Sequence, residues 1–390
     1  MTIAIIGLSA IHPYGVGLEP LREGLIGRGS LASPSLLPAD EFPDARTNEI
    51  PDWDPNRYLG AKGHRHFDRL TRFLASAAQL ALNSAGLREG GAYSGGDPAK
   101  VALLSATAFG SLDEITEQNR IAELEDPRYI NPTRFPNTVI NAAAGYVSIR
   151  EGFTGPNATL VNGRTGFLSA LSLARGFIEA GEVQRALVGG GEVISDALYL
   201  GLELSGGFTV EPELRLGEGA GFFVLEEAAE AEARGATILA RLLGERSAYE
   251  PPEDEEALYQ PSALAVSRAL RGALADAGLE RVDAVVLSGH GFGVYREAER
   301  EGARAILGAS IPILDPGADL GEAFAASPIF ALSAAALLFH DAELRQHLAL
   351  SSEAPPETLA FITLGHEGHA GALILERGDG LSRPADRSAD

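Results

Sequence analysis

The sequence predicts an α/β protein built from two related halves that pack as one unit. Three observations predict it. Short apolar or β-branched runs alternate with amphipathic helical stretches along almost the whole chain. The helix–strand–glycine order of "ALADAGLERVDAVVLSGHG" echoes that of "ALNSAGLREGGAYSGGDPAKVALLSATAFG". No low-complexity linker separates the two parts. The expected division is a first half over 1–234, a second over 235–377, and a polar tail, "RGDGLSRPADRSAD", expected to be disordered over 378–390.

Taken in order, "IAIIGLS" reads as a buried strand. "FDRLTRFLASAAQLALNSAGL" has apolar residues at helical spacing and a stop at Gly86. "KVALLSAT" is a strand and "GSLDEITEQNRIAEL" a helix. "ATLVNG" is a strand that runs through a tight turn into the helix "FLSALSLARGFIEAG", and "RALVGGGE" and "GAGFFVLEE" are strands. The second half continues with the helix "SALAVSRALRGALADAGL", the strand "VDAVVLSGHG" and the helix "YREAEREGARAIL". It closes with the buried helix "SPIFALSAAALLFHDAEL" and the hairpin "LAFITLGHEGHAGALILER". The stretches "LVGGGE" and "RLGEGAGF" follow no nucleotide fingerprint, and their glycines suggest tight turns.

Composition limits function. The 390 residues are 45% hydrophobic and 22% charged, ordinary for a globular chain with a large core. There is no cysteine, so no disulfide, thiolate zinc site or cysteine nucleophile can form. With 54 acidic against 31 basic residues the net charge is −23, which repels nucleic acid and anionic membrane; "EPPEDEEA" is a local acidic cluster. The opening "MTIAIIGLSAIHPYG" lacks the basic start and cleavage pattern of a signal peptide, and no apolar run spans a bilayer. The expected location is the cytoplasm.

Four places draw attention as candidate chemistry. At "LVNGRTGFLSAL" a strand, turn and helix form the kind of place where α/β enzymes hold a nucleophile, but the turn carries Arg164. A cation opposes the helix dipole there, so Arg164 is either an anion-binding group or a structural arginine held by a buried carboxylate. His290 follows a strand between glycines in "VVLSGHGFG", a position suited to a general base or an oxyanion donor, or to a structural histidine. His366 and His369 in "TLGHEGHAGAL" lack metal-ligand spacing, so no metal is expected. Lys62 and Arg65 in "AKGHRHFDR" form a small basic patch.

These motifs, in this order, resemble the β-ketoacyl synthases of the thiolase superfamily. The resemblance runs through "IAIIGLSAIHPYGVGLEPLREGLIGRGS", "DWDPNRYLGAKGHRHFDRLTRFLASAAQLALNSAGL", "FPNTVINAAAGYVSIREGFTGPNATLV", "LGEGAGFFVLEEAAEAEARGA", "SGHGFG" and "LGHEGHAGALIL". It implies a five-layer αβαβα thiolase fold of two pseudo-symmetric halves. Family synthases use a cysteine and two histidines. Carried over, the cysteine position holds Arg164, the first histidine is His290, and the second maps to Glu322 in "LGEAFAASPIF". Gly317 falls where the family has a lysine, and the gatekeeping phenylalanine position holds His366. The loop from Gly207 to Gly217 is shorter than the family's.

The departures resemble those of chain-length factors, the non-catalytic partners of true ketosynthases in type II polyketide assembly; aryl-polyene systems carry similar partners. "AFGSLDEI" fits that resemblance, whereas chain-length factors usually carry glutamine at the turn occupied here by Arg164. The resemblance implies a heterodimer with an active ketosynthase, and acyl carrier protein docking mainly on that partner, with Lys62 and Arg65 as this chain's only basic contribution. No cofactor or metal is implied, and Arg164, His290 and Glu322 form a vestigial site. Phe109, Leu112 and Thr116, read as one helical face, shape the acyl tunnel. Two other readings stand: a homodimeric enzyme using His290 and Arg164 for decarboxylation or other acyl chemistry, and a scaffold with no role in the cavity.

Overall fold

The computed structural model describes residues 1–31, 35–50, 53–251, 258–350 and 354–380. Most of the "EPPEDEEA" cluster and residues 381–390 of the tail lie outside them. The first five main strands are β1 (Ile3–His12), β2 (Val101–Ala106), β3 (Asn157–Leu160), β4 (Arg185–Glu192) and β5 (Gly219–Glu227). They lie in the order β1-β5-β4-β2-β3. The next five are β6 (Ala240–Tyr249), β7 (Ala284–Val286), β8 (Ile313–Leu314), β9 (Thr358–Leu364) and β10 (His369–Arg377). Their order is β6-β10-β9-β7-β8, so each group reads first, fifth, fourth, second, third. The pairing senses repeat as well: two antiparallel contacts, then two parallel ones. Antiparallel pairing of β1 with β6, from Ile3 opposite Leu242, joins the groups.

Helices make the remaining layers. Helix α1 (Leu18–Leu25) follows β1. Helix α2 (Arg69–Ser84) starts at Asp68, whose carboxylate accepts the Thr71 N–H at 2.7 Å, and it buries Leu70, Phe73, Leu74 and the alanines that follow. It packs on the outer face of the first group with α4 (Ala142–Glu151), while α3 (Leu112–Arg120) lies at the end of β2. Helix α5 (Gly166–Glu179) and α9 (Ser327–His340) sit between the two sheet layers. Every residue of α9 from Ser327 to Phe339 is buried, which explains its lack of a polar face. Helix α6 (Asp196–Leu204) follows β4, and α7 (Ala263–Ala277) and α8 (Gly293–Leu307) cover the second group. The result is a five-layer αβαβα thiolase fold.

Several expectations need correcting. The glycines of "LVGGGE" and "RLGEGAGF" lie largely inside paired strands, not in turns. A Cβ at Gly190 would stand 2.2 Å from the Ala106 carbonyl oxygen, so close strand packing explains the glycine. The helix expected from Gly110 begins at Leu112, after an N-cap at Ser111, and Ile121–Glu125 continues as a π turn. Phe109 therefore does not share a helical face with Leu112 and Thr116. Strand β6 and helix α6 escaped the sequence pattern. Strand β6 is charged, has one half-exposed face, and shifts register between Leu242 and Gly244. At the start of the tail, the Asp379 N–H donates to the Ile238 carbonyl at 2.7 Å, which ties that residue to the fold.

Candidate functional site

Strand β3 leads into a short 3₁₀ turn, Gly163–Thr165, and α5 follows directly. Gly163 takes φ 51°, a left-handed conformation that glycine adopts without steric cost. The turn aims Arg164 inward beneath the second group of strands. No part of that side chain reaches solvent. A buried guanidinium beside a helix N-terminus needs negative partners, since both desolvation and the dipole oppose it.

The partners come from two segments. Nη1 donates to Glu322 Oε1 at 2.5 Å, and Nη2 donates to the Ser288 carbonyl at 2.9 Å and to Ser288 Oγ at 2.8 Å. Glu322 is fully buried and is also held by backbone. Its Oε2 accepts the Gly291 N–H at 2.8 Å, and its Oε1 accepts the Phe324 N–H at 2.8 Å. His290 Nδ1 lies 3.1 Å from Glu322 Oε2, and its ring stacks on Tyr295 at 4.5 Å between centroids. Ser288 Oγ donates onward to Glu299 Oε1 at 2.7 Å, which also accepts the Leu364 N–H at 3.0 Å.

These contacts set the charges. Burial raises the Glu322 carboxyl, but Arg164 and His290 overcome it and hold it well below the carboxylate range. Burial, reinforced by Arg164, drives His290 well below its ordinary value, and burial lowers His366 to about 4. Both rings are neutral at pH 7. Glu299 is pushed up to about 8 by burial, against the pull of Arg164 and the Ser288 hydrogen bond. The site is one guanidinium closed on one carboxylate among neutral groups. His290, Glu322 and His366 offer donor atoms within 4.8 Å of one another. Arg164 already neutralises Glu322 there, and its charge opposes a divalent cation at the same oxygens.

The other expected residues fall into place around this cluster. The half-buried ring of His366 is packed among Tyr259, His290, Phe292, Tyr295 and Phe324. His369 instead lies exposed against Tyr249. Gly317 backs onto Gly289, where an added Cβ would stand 2.9 Å from the Gly289 Cα. Phe109 is 36% exposed in the turn before α3, with its ring edge-on to Phe324 at 4.9 Å. Leu112 and Thr116 are half-buried one helical turn apart, and the Thr116 hydroxyl donates to the Leu112 carbonyl at 2.9 Å. Lys62 and Arg65 are exposed on the approach to α2, and neither forms an ion pair among the described residues.

Known proteins agree with this geometry. The profile described as "Beta-ketoacyl synthase, N-terminal domain" matches residues 1–212, more than half of the chain. The chain belongs to the β-ketoacyl synthase family. It is 27% identical over 316 residues to the 3-oxoacyl-acyl-carrier-protein synthase 2 of Coxiella burnetii, covering 74% of this chain and 72% of that one. It is 26% identical over 414 aligned positions to a Streptomyces halstedii protein named as a polyketide beta-ketoacyl synthase 2, covering 96% and 97%. A solved structure titled "The ishigamide ketosynthase/chain length factor" superposes with a TM-score of 0.76 at 28% identity, covering 97% of this chain and 99% of that one. The resemblance to ketosynthase and chain-length-factor proteins read from the motifs agrees with the polyketide synthase relative and with that solved structure.

Within the family frame, three residues of the site are not marked by the sequence: Ser288, Glu299 and Tyr295. Ser288 precedes His290 by two residues, and only folding shows that Arg164 uses it; the family positions already place Glu322 beside Arg164, and the two pair. Glu299 and Tyr295 sit on α8, where they look like ordinary helix residues.

Proposed function

We propose that this chain is the non-catalytic, chain-length-factor-like partner of an active β-ketoacyl synthase in type II polyketide or polyene biosynthesis. The observation that carries the proposal is Arg164. It stands where the family keeps its cysteine, and Glu322 and Ser288 engage both of its terminal nitrogens, leaving only the buried Nε without a partner among the described residues. The Ser288 hydroxyl is likewise engaged, between Arg164 and Glu299. That arrangement also weighs against decarboxylation by Arg164 and His290, because the guanidinium that would anchor a carboxylate is already paired.

The partner surface is the free edge of β3, last in its sheet. Exposed Val161, Ile149, Val139, Ile140 and Phe135 surround it, and an apolar strand edge of this kind is an aggregation hazard unless a second subunit covers it. A net charge of −23 disfavours self-pairing relative to a less acidic ketosynthase. Phe109, in the turn before α3, and Leu112 and Thr116, on α3, shape the acyl tunnel across the interface. His366 takes the gatekeeper's place without gating. Acyl carrier protein docks mainly on the partner, with Lys62 and Arg65 as a minor contact. The halves 1–234 and 235–377 are assigned as two thiolase-like units, supported by the repeated strand order. The assembly is cytoplasmic and works without a cofactor; among the described residues no helix is long and apolar enough to cross a membrane.

Co-expression with a ketosynthase that keeps the cysteine and both histidines, taken from the same gene cluster, followed by sizing, tests the assembly. A 1:1 complex is expected, with little dispersed protein when the chain is made alone. Ile149→Glu with Val161→Glu should leave the fold intact and weaken the complex at least about tenfold. A stable homodimer from solo expression, or a complex indifferent to both charges, would contradict the proposal.

A further inference from the structure

Glu192 is a buried carboxylate that the site described above does not use. It ends β4, is 1% exposed, and forms no ion pair among the described residues. Burial pushes its carboxyl up to about 8, the hydrogen-bond donors around it oppose that only in part, and nearly all of those donors come from one turn. Oε2 accepts the Ala108 N–H at 2.7 Å. Oε1 accepts the Phe109 N–H and the Thr107 hydroxyl, both at 3.2 Å. Thr107 Oγ1 then accepts the Gly110 N–H at 2.9 Å. The turn that carries Phe109 therefore hangs, residue by residue, on this one side chain.

The backbone N–H of Ala325 also lies near this carboxyl and opposes the upward pull of its burial. Ala325 follows Phe324, whose ring meets Phe109 edge-on and whose backbone is held at φ 43°, a conformation rare for a phenylalanine. The Phe324 N–H is fixed in turn by Glu322. Two buried carboxylates thus pin the two turns that bring these rings together. Phe109 remains partly exposed with Phe324 behind it, so the ring cannot retract unless one of the turns moves.

We propose that Glu192 is the positioning residue for chain length: it fixes the Phe109 turn and so sets how far the ring projects toward the partner's tunnel. This rests on the reading of Phe109 as a tunnel residue. The plain alternative is that Glu192 only satisfies buried amides and has no effect on products.

Glu192→Gln separates the two. A glutamine keeps one acceptor oxygen and replaces the other with a donor. The oxygen retains Ala108, the new N–H₂ donates to the Thr107 hydroxyl, and the Phe109 amide loses its partner. The parent, Glu192→Gln and Phe109→Ala chains would each be purified with the co-expressed ketosynthase and supplied with malonyl-loaded carrier protein. Products would be sized by mass spectrometry, and amide exchange followed at Ala108 and Phe109. The proposal expects Glu192→Gln to speed exchange at Phe109 by about tenfold or more while Ala108 stays protected. It expects products to lengthen in the direction Phe109→Ala takes them, and the double variant to add no further shift. If Phe109→Ala lengthens products and Glu192→Gln does not, the positioning role is overturned and the tunnel reading stands. If Phe109→Ala leaves products unchanged in a folded complex, the tunnel reading fails and the positioning role with it. Should Glu192→Gln fail to fold, Thr107→Ala removes the hydroxyl linking Glu192 to Gly110, and the same two outcomes decide.

Discussion

Arg164 is the residue on which the site turns. An arginine in a nucleophile's place could bind a ligand anion or be paired internally, and from sequence alone both readings stayed open. The structure pairs it with Glu322, 158 residues away, through a contact no local pattern encodes. His290 was legible because glycines flank it at a strand end. Ser288 and Glu299 were not, because a serine and a helical glutamate have many ordinary uses. The pair is fully desolvated, so removing one member leaves the other charge buried. Arg164→Ala should cost about 3–5 kcal/mol in chemical denaturation. Arg164→Met with Glu322→Gln removes both charges and keeps an acceptor for a backbone N–H, so it should recover more than half of that loss. An Arg164→Ala cost below about 1 kcal/mol would show that the pair does not hold the site closed.

At the scale of elements, helices and glycine-rich strands were legible where one periodicity dominates. Helix α2 has a clean apolar stripe and an aspartate cap, and α9 is apolar all round. Strand β6 was hidden by its charged face and bulge, and the start of α3 was misplaced because Phe109 belongs to a turn held by a side chain from another strand. Helix α8 carries Glu299 beneath the end of β9, in reach of Ser288 and Leu364 but of no cation it directly pairs with. Its carboxyl titrates near 8 in the folded chain against an ordinary 4.5. Between those values the native state holds a proton that the unfolded state has released. Glu299 therefore contributes stability that is fully present below about pH 4.5 and is lost as pH rises toward 8. Glu299→Gln mimics the protonated form and should remove a slope of up to about 1.4 kcal/mol per pH unit across that window. Denaturation at pH 6.5 and pH 8 would show it; an unchanged slope would mean that Glu299 is already ionised.

For the whole molecule, the alternation of elements and the echo between halves made the α/β class and the two-part plan readable in advance. The joining of the halves through β1 and β6 was not readable, since register between distant strands is set by packing rather than by local composition. The fold keeps the family's five layers, and Arg164 and Glu322 pair at their centre. On the proposed reading, all chain-building chemistry belongs to the partner. The most direct measurement is condensation and malonyl decarboxylation by this chain alone, by the complex, and by a complex whose partner has its nucleophilic cysteine replaced by alanine. No turnover is expected from the chain alone, condensation from the complex, and none once the partner's cysteine is gone. Decarboxylation by the chain alone that disappears in His290→Ala would contradict that reading.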